Sequence, residues 1–159
     1  MYSGYQKGPI YQAAPLYDGW LTILLGVIVL SLLGVGIYLV DLDISGTWTM
    51  LGAAAFIALL MYFIMPRKYQ IFEDKIRIAL GGQFAVNIPF SNIARVSPAS
   101  GSKSYVYSGI RLATSSRNVV EIIRKRGGGV VISPRNRDIF LEQFNQAFAT
   151  YNRIRPPLK

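Results

Sequence analysis

Between Asp18 and Arg67 the chain carries only two charged residues, Asp41 and Asp43. No other feature restricts the fold as much. Trp20 to Val40 is a run of 21 residues without a charge, and Thr47 to Met65 adds 19 more. As a helix the first would extend roughly 31 Å, close to the hydrocarbon thickness of a bilayer. A buried helix of a soluble core normally shows a polar stripe, and neither run has one. The reading is therefore two membrane spans, 20–40 and 47–65, within an anchor covering 18–66. The link Asp41-Leu-Asp-Ile-Ser-Gly46 is short, so the two helices should run antiparallel as neighbours.

Charge gives the orientation. The 159 residues carry a net +9, but from Arg67 onward there are 16 Lys or Arg against 5 Asp or Glu, a net of +11. Cytoplasmic flanks of membrane spans are enriched in Lys and Arg, which puts the acidic link outside and both termini inside. The expectation is a multi-pass protein of the cell's inner (cytoplasmic) membrane. Asp18 stands where the positive flank of a signal peptide belongs, and the apolar run is too long for one. Tyr17, Trp20 and Trp48 fall at interfacial depths. Small residues let helices approach closely in lipid, so Gly26, Ser31, Gly34 and Gly36 on one span and Gly52, Ala54, Ala55 and Ala58 on the other are expected to form the contact. No ionisable residue lies inside either span, which argues against an ion path. Residues 1–17, rich in Tyr, Gln, Gly and Pro, read as an unstructured cytoplasmic tail. The alternative is a segment that orders on a partner through Tyr2, Tyr5 and Tyr11.

At Pro66 the hydrophobic period changes from helical to alternating, since proline ends the helical hydrogen-bond ladder. Tyr69 to Phe72 reads as a strand and Glu73-Asp74 as a turn. Ile76, Ile78 and Leu80 share one face of the next strand, and Gly81-Gly82 permits a tight reversal. Phe84, Val86, Ile88 and Phe90 repeat the alternation up to an edge marked by Pro89. Further strands are expected at 93–96, 105–107, 110–114, 119–124 and 130–132, with a loop at 98–104. A final helix, capped by Ser133 and opened by Pro134, would bury Phe140, Phe144, Ala147, Phe148 and Tyr151. About seven strands and one closing helix describe a bent sheet or partly open barrel over 67–152. A basic tail, 153–159, follows.

The stretches YQIFEDKIRI, NIPFSNIARV and VVISPRNRDIFLEQFNQAF, in this order after two apolar helices, resemble the bacterial pleckstrin-homology-like domains attached to membrane helices. The resemblance implies a mainly-β PH-like domain that binds rather than catalyses. With the small-residue faces of the spans and the exposed strand edges as candidate contacts, the expected role is an accessory or scaffold subunit of a membrane assembly, or a copy in a homo-oligomer. Autonomous binding of anionic lipid is the alternative. Lys75 and Arg77, with Lys68, fall near the first hairpin, where lipid-binding relatives carry phosphate-gripping cations, although Glu73-Asp74 occupies the turn itself. Arg67 and Lys68 follow the second span directly, and Arg124, Lys125 and Arg126 flank a glycine turn. These seven are the candidate anionic contacts, juxtamembrane cations each contributing about 1 kcal/mol near an anionic leaflet.

Other functions are disfavoured. The chain has no cysteine or histidine, so thiolate metal sites and the commonest neutral-pH base are absent. Gly101 to Ser104 lacks the order of a phosphate-binding loop, and the carboxylates show no paired arrangement. We expect no cofactor, no metal, no small-molecule substrate and no enzyme. The partners expected are membrane lipids and other membrane subunits or copies of the chain. Nucleic acid is an unlikely third class. It is motivated by the +11 and by Tyr105 and Tyr107 near Lys103 and Arg111, but no reading motif is present.

Overall fold

The computed structural model describes residues 8–99 and 109–154. It divides into two compact units, Tyr17–Met65 and a second made of Met1–Leu16 with Pro66–Lys159.

The first unit is a helical hairpin, α1 (Gly19–Tyr38) and α2 (Ile44–Ile64). The second helix begins earlier than its apolar run suggests because Asp43 caps it, accepting from the Ser45 N–H at 3.0 Å. Gly46 is required there, since a Cβ would stand 2.8 Å from the Asp43 carboxylate. Buried and half-buried positions repeat at alternating steps of four and three along both helices, at Leu25, Val29, Leu32 and Gly36 in α1 and at Thr47, Met50, Ala54 and Ile57 in α2. Those positions form the seam between the two helices. The expected small-residue contact needs correction. Of the expected residues, Gly36 and Ala54 are buried, and a Cβ at Gly36 would stand 3.1 Å from Leu51, whereas Gly26, Gly34 and Gly52 look onto open space and Ala58 is exposed. Larger side chains thus fill most of the seam. The outward surface is apolar on both helices, with Ile23, Leu30, Phe56 and Leu59 among its exposed residues. By length and composition α2 can cross a membrane.

Among its described residues the second unit holds eight strands in two four-stranded sheets, and a closing helix α3 (Arg137–Ile154). Sheet 1 has the order β1 (Tyr11–Ala13), β2 (Lys68–Ile71), β3 (Lys75–Ala79), β4 (Ala85–Pro89), all antiparallel. Sheet 2 has the order β5 (Ile93–Ala99), β7 (Val119–Arg124), β8 (Gly129–Ile132), β6 (Gly109–Leu112). Here β6 runs parallel to β8. A 3-10 turn, Phe90–Asn92, joins the sheets. The fold is a two-layer sandwich rather than one bent sheet.

The core lies between the layers, built from Ile71, Ile76, Ile78, Ile88, Ile122 and Ile132, with α3 laid against it. Phe90 is its aromatic hub. Its ring meets Phe144, Phe148 and Tyr151 edge-on at centroid distances of 5.6, 5.6 and 5.5 Å. Phe84 departs from its expected place on the face of Phe90, because it lies in the β3–β4 loop and is exposed.

Three other expectations change. The segment read as a tail contributes β1, in register Tyr11↔Ile71, Gln12↔Gln70 and Ala13↔Tyr69. Pro98 and Ala99, read as loop, end β5. Ser133 does not cap α3, which starts at Arg137. Its hydroxyl instead accepts from the Thr114 N–H at 2.9 Å within a buried polar knot. In that knot the Thr114 hydroxyl donates to the Leu16 carbonyl at 2.6 Å, and the Tyr69 hydroxyl to the Leu112 carbonyl at 2.8 Å. The strand expected at 105–107 lies outside the described residues.

Two substitutions test this architecture. Phe90→Ala removes the hub and should lower stability by about 3–5 kcal/mol in denaturant unfolding of the β unit. The chain has no cysteine, so Gln12→Cys with Gln70→Cys should close one intrachain disulfide on oxidation, migrating as a monomer on a non-reducing gel. Failure to close would argue against the β1–β2 pairing.

Candidate functional site

The cations singled out in the sequence divide into two groups. Lys68, Lys75 and Arg77 belong to the outward face of sheet 1, because Tyr69, Ile71, Ile76 and Ile78 take the inward positions. Lys75 holds its ammonium 5.6 Å from the Phe72 ring centroid, within cation–π range. Arg67 precedes β2, and its N–H donates to the Ala79 carbonyl at 2.7 Å.

Arg124, Lys125 and Arg126 form the end of β7 and its turn into β8, and they do different things. Arg124 donates through Nε to the Gly128 carbonyl, so its guanidinium stays within its own turn. It also lies over Gly127, where φ is +87° and a Cβ would be strained and 3.3 Å from Nη2. Lys125 and Arg126 project outward. Together with Pro89, Ser91 and Asn92 they line an open cleft of about 470 Å³.

Asn92 sets the geometry of this cleft. Its carbonyl accepts from the Lys125 N–H at 2.7 Å, its side-chain oxygen accepts from the Arg126 N–H at 3.0 Å, and its side-chain amide donates to the Arg126 carbonyl at 3.3 Å. Three bonds therefore fasten the 3-10 turn to the glycine turn, 34 residues away in sequence. They hold two cationic side chains and the Ser91 hydroxyl around one concavity whose lining has no carboxylate. Such a site can hold an anion by charge and hydrogen bonds. Sequence reasoning missed Ser91 and Asn92. The only available signal was a polar Ser-Asn pair between a proline and a strand.

Of the aromatic candidates, Trp20 stands in the first turn of α1 at the open end of the hairpin, and Trp48 beside the link in α2. Both are well exposed, as is Tyr17. Gly101 to Ser104, Lys103, Tyr105 and Tyr107 lie outside the described residues. Among the described residues no group of three His, Cys, Asp or Glu could hold a metal ion.

A two-layer β sandwich closed by a C-terminal helix, with cations gathered at turns and on one sheet face, is a pleckstrin-homology-like domain, a class of generally non-catalytic binding modules. The chain belongs to the bacterial PH domain family, whose model matches residues 67–147. β1 lies before the matched stretch. No curated protein and no solved structure matches the chain.

Asn92→Leu removes both side-chain bonds and leaves the Arg126 N–H and carbonyl without these partners. It should cost about 1–3 kcal/mol of stability and broaden the amide NMR signals of Lys125 and Arg126, while those of β2 and β3 stay sharp. Unchanged signals at the glycine turn would show that Asn92 does not organise it.

Proposed function

We propose that the chain is a non-enzymatic, membrane-anchored PH-like binding module. It acts as an accessory or scaffold subunit of a membrane assembly, or as one of several copies of itself. The observation that carries this reading is the inserted hairpin, apolar on its outward surface, within a β domain completed from both sides of the insertion. Residues 10–16 are bonded to Ile71, Ser133 and Arg135, so both ends of the hairpin start from one folded body. That favours two crossings, with both termini on one side. The net +11 after Arg67 makes the cytoplasm that side by the positive-inside rule. The cytoplasmic membrane is then its location.

The apolar outward surface supports contact with lipid or with other spanning helices. A second reading rests on the cleft. Lys125, Arg126 and Ser91 suit the phosphate of an anionic headgroup, so the domain would also hold the cytoplasmic leaflet.

Gentle detergent extraction followed by native mass measurement tests both readings. The chain should leave the membrane only with detergent and run with other chains or as a multimer of itself. A bare monomer under all extraction conditions would sink the assembly reading. In the same measurement, the full chain should retain more anionic than zwitterionic lipid, and Lys125→Gln with Arg126→Gln should abolish that preference. Equal retention of both lipid types removes the second reading.

A further inference from the structure

The outward face of sheet 1 carries a polar row that crosses all four strands. Gln12 pairs with Gln70, Gln70 with Arg77, and Arg77 with Asn87. The Gln70 amide donates to the Gln12 carbonyl oxygen at 3.0 Å. Lys68 and Lys75 stand on opposite sides of this row, each two positions along its strand. No outward position on the four strands is acidic. At the centre, Nε of Arg77 is buried and has no hydrogen-bond partner among the described residues. A buried donor left unpaired is costly and calls for an explanation. Among described residues, the ones facing it across the sheet are neutral amides.

The chemistry that completes this row is restricted. A guanidinium offers its Nε and Nη donors side by side, the spacing that a carboxylate takes with two parallel bonds. The flanking amides present acceptors as well as donors. A phosphate supplies only acceptors and offers nothing to the side-chain carbonyls of Gln70 and Asn87, while that of Gln12 already accepts from Gln70. An extended peptide supplies backbone donors and acceptors for the amides and, if acidic, the carboxylate for the arginine. Lys68 and Lys75 add attraction on both flanks.

We propose that the outer face of sheet 1 docks an acidic peptide segment of a partner protein, with one of its carboxylates held by Arg77 between Gln70 and Asn87. This inference rests on the binding-module reading and names its partner class. The row does not include Lys125 or Arg126, although Pro89, the register partner of Lys75, borders both it and their cleft. Docking turns the guanidinium outward until Nε reaches the carboxylate.

The test uses the full chain in phosphatidylcholine nanodiscs, titrated with a fluorescent oligoglutamate peptide and followed by anisotropy. Saturable binding is expected, weakened about tenfold or more by Arg77→Gln. Arg77→Lys, which keeps the charge and loses the fork, should recover only part of it. Arg153→Gln, in the last turn of α3, should leave it unchanged. No binding, no response to Arg77→Gln, or equal weakening by Arg77→Gln and Arg153→Gln overturns the proposal. So does equal displacement by inorganic phosphate at matched anion concentration, which would assign the site to phosphate alone. If the peptide fails to bind while native mass measurement finds an assembly, this inference falls and the preceding reading stands.

Discussion

The structure depends on a pairing between two pieces of chain that the hairpin separates. β1 ends at Ala13 and β2 begins at Lys68, yet they lie in one sheet, and Leu16 is bonded through its N–H to the Ser133 carbonyl at 2.8 Å. The Arg135 N–H returns a bond to the Ala14 carbonyl at 2.9 Å. Around this crossing, Thr114, Ser133 and the Tyr69 hydroxyl are withdrawn from water and satisfy one another. Each polar group there would cost about 1–3 kcal/mol if its partner were removed. The amino-terminal segment thus completes the β unit in two ways, covering the edge of β2 and supplying the carbonyl that Thr114 needs. An uncovered edge would invite pairing with foreign strands.

The sequence disclosed most of this fold wherever neighbouring residues determine it. Ile76 and Ile78 against Lys75 and Arg77 fix a strand by alternation alone, and the spacing of Phe140, Phe144 and Ala147 fixes the buried face of α3. β1 escaped because three residues, Tyr-Gln-Ala, are too few to display a period. Its partner lies 58 residues away at the Gln12–Gln70 pair. Ser133-Pro134 looked like a helix start for a sound local reason, since both residues favour that position. The tertiary demand for a hydroxyl beside Thr114 overrode it. In the hairpin, glycine and alanine were expected to mark the contact, but a heptad-spaced seam of larger residues met that need.

The candidate site shows the same division. Residue type identified Lys125 and Arg126 as available cations, because a turn rich in glycine cannot bury them. It could not separate them from Arg124, whose guanidinium is occupied by the Gly128 carbonyl. Nor could it supply Asn92, whose role exists only when two turns distant in sequence meet. The charge excess therefore does several jobs. Part of it stabilises a turn, part lines a concavity, and part lies across a rigid sheet face.

That division of charge bears on how binding would be felt elsewhere in the chain. Gln12 is part of the polar row and sits in β1, the strand that leads through Leu16 to the start of α1 at Gly19. A peptide resting on Gln12, Gln70 and Arg77 would bridge β1 and β2, adding to the bonds that hold the amino-terminal segment in the sheet. Conversely, a force on the start of α1 would reach β1 through a few residues of covalent chain and disturb one end of the row. By linkage, docking and the attachment of β1 favour each other through one shared coupling free energy. The short length of β1 makes such coupling effective, because a three-residue strand is held by few bonds and its attachment responds to each one gained or lost.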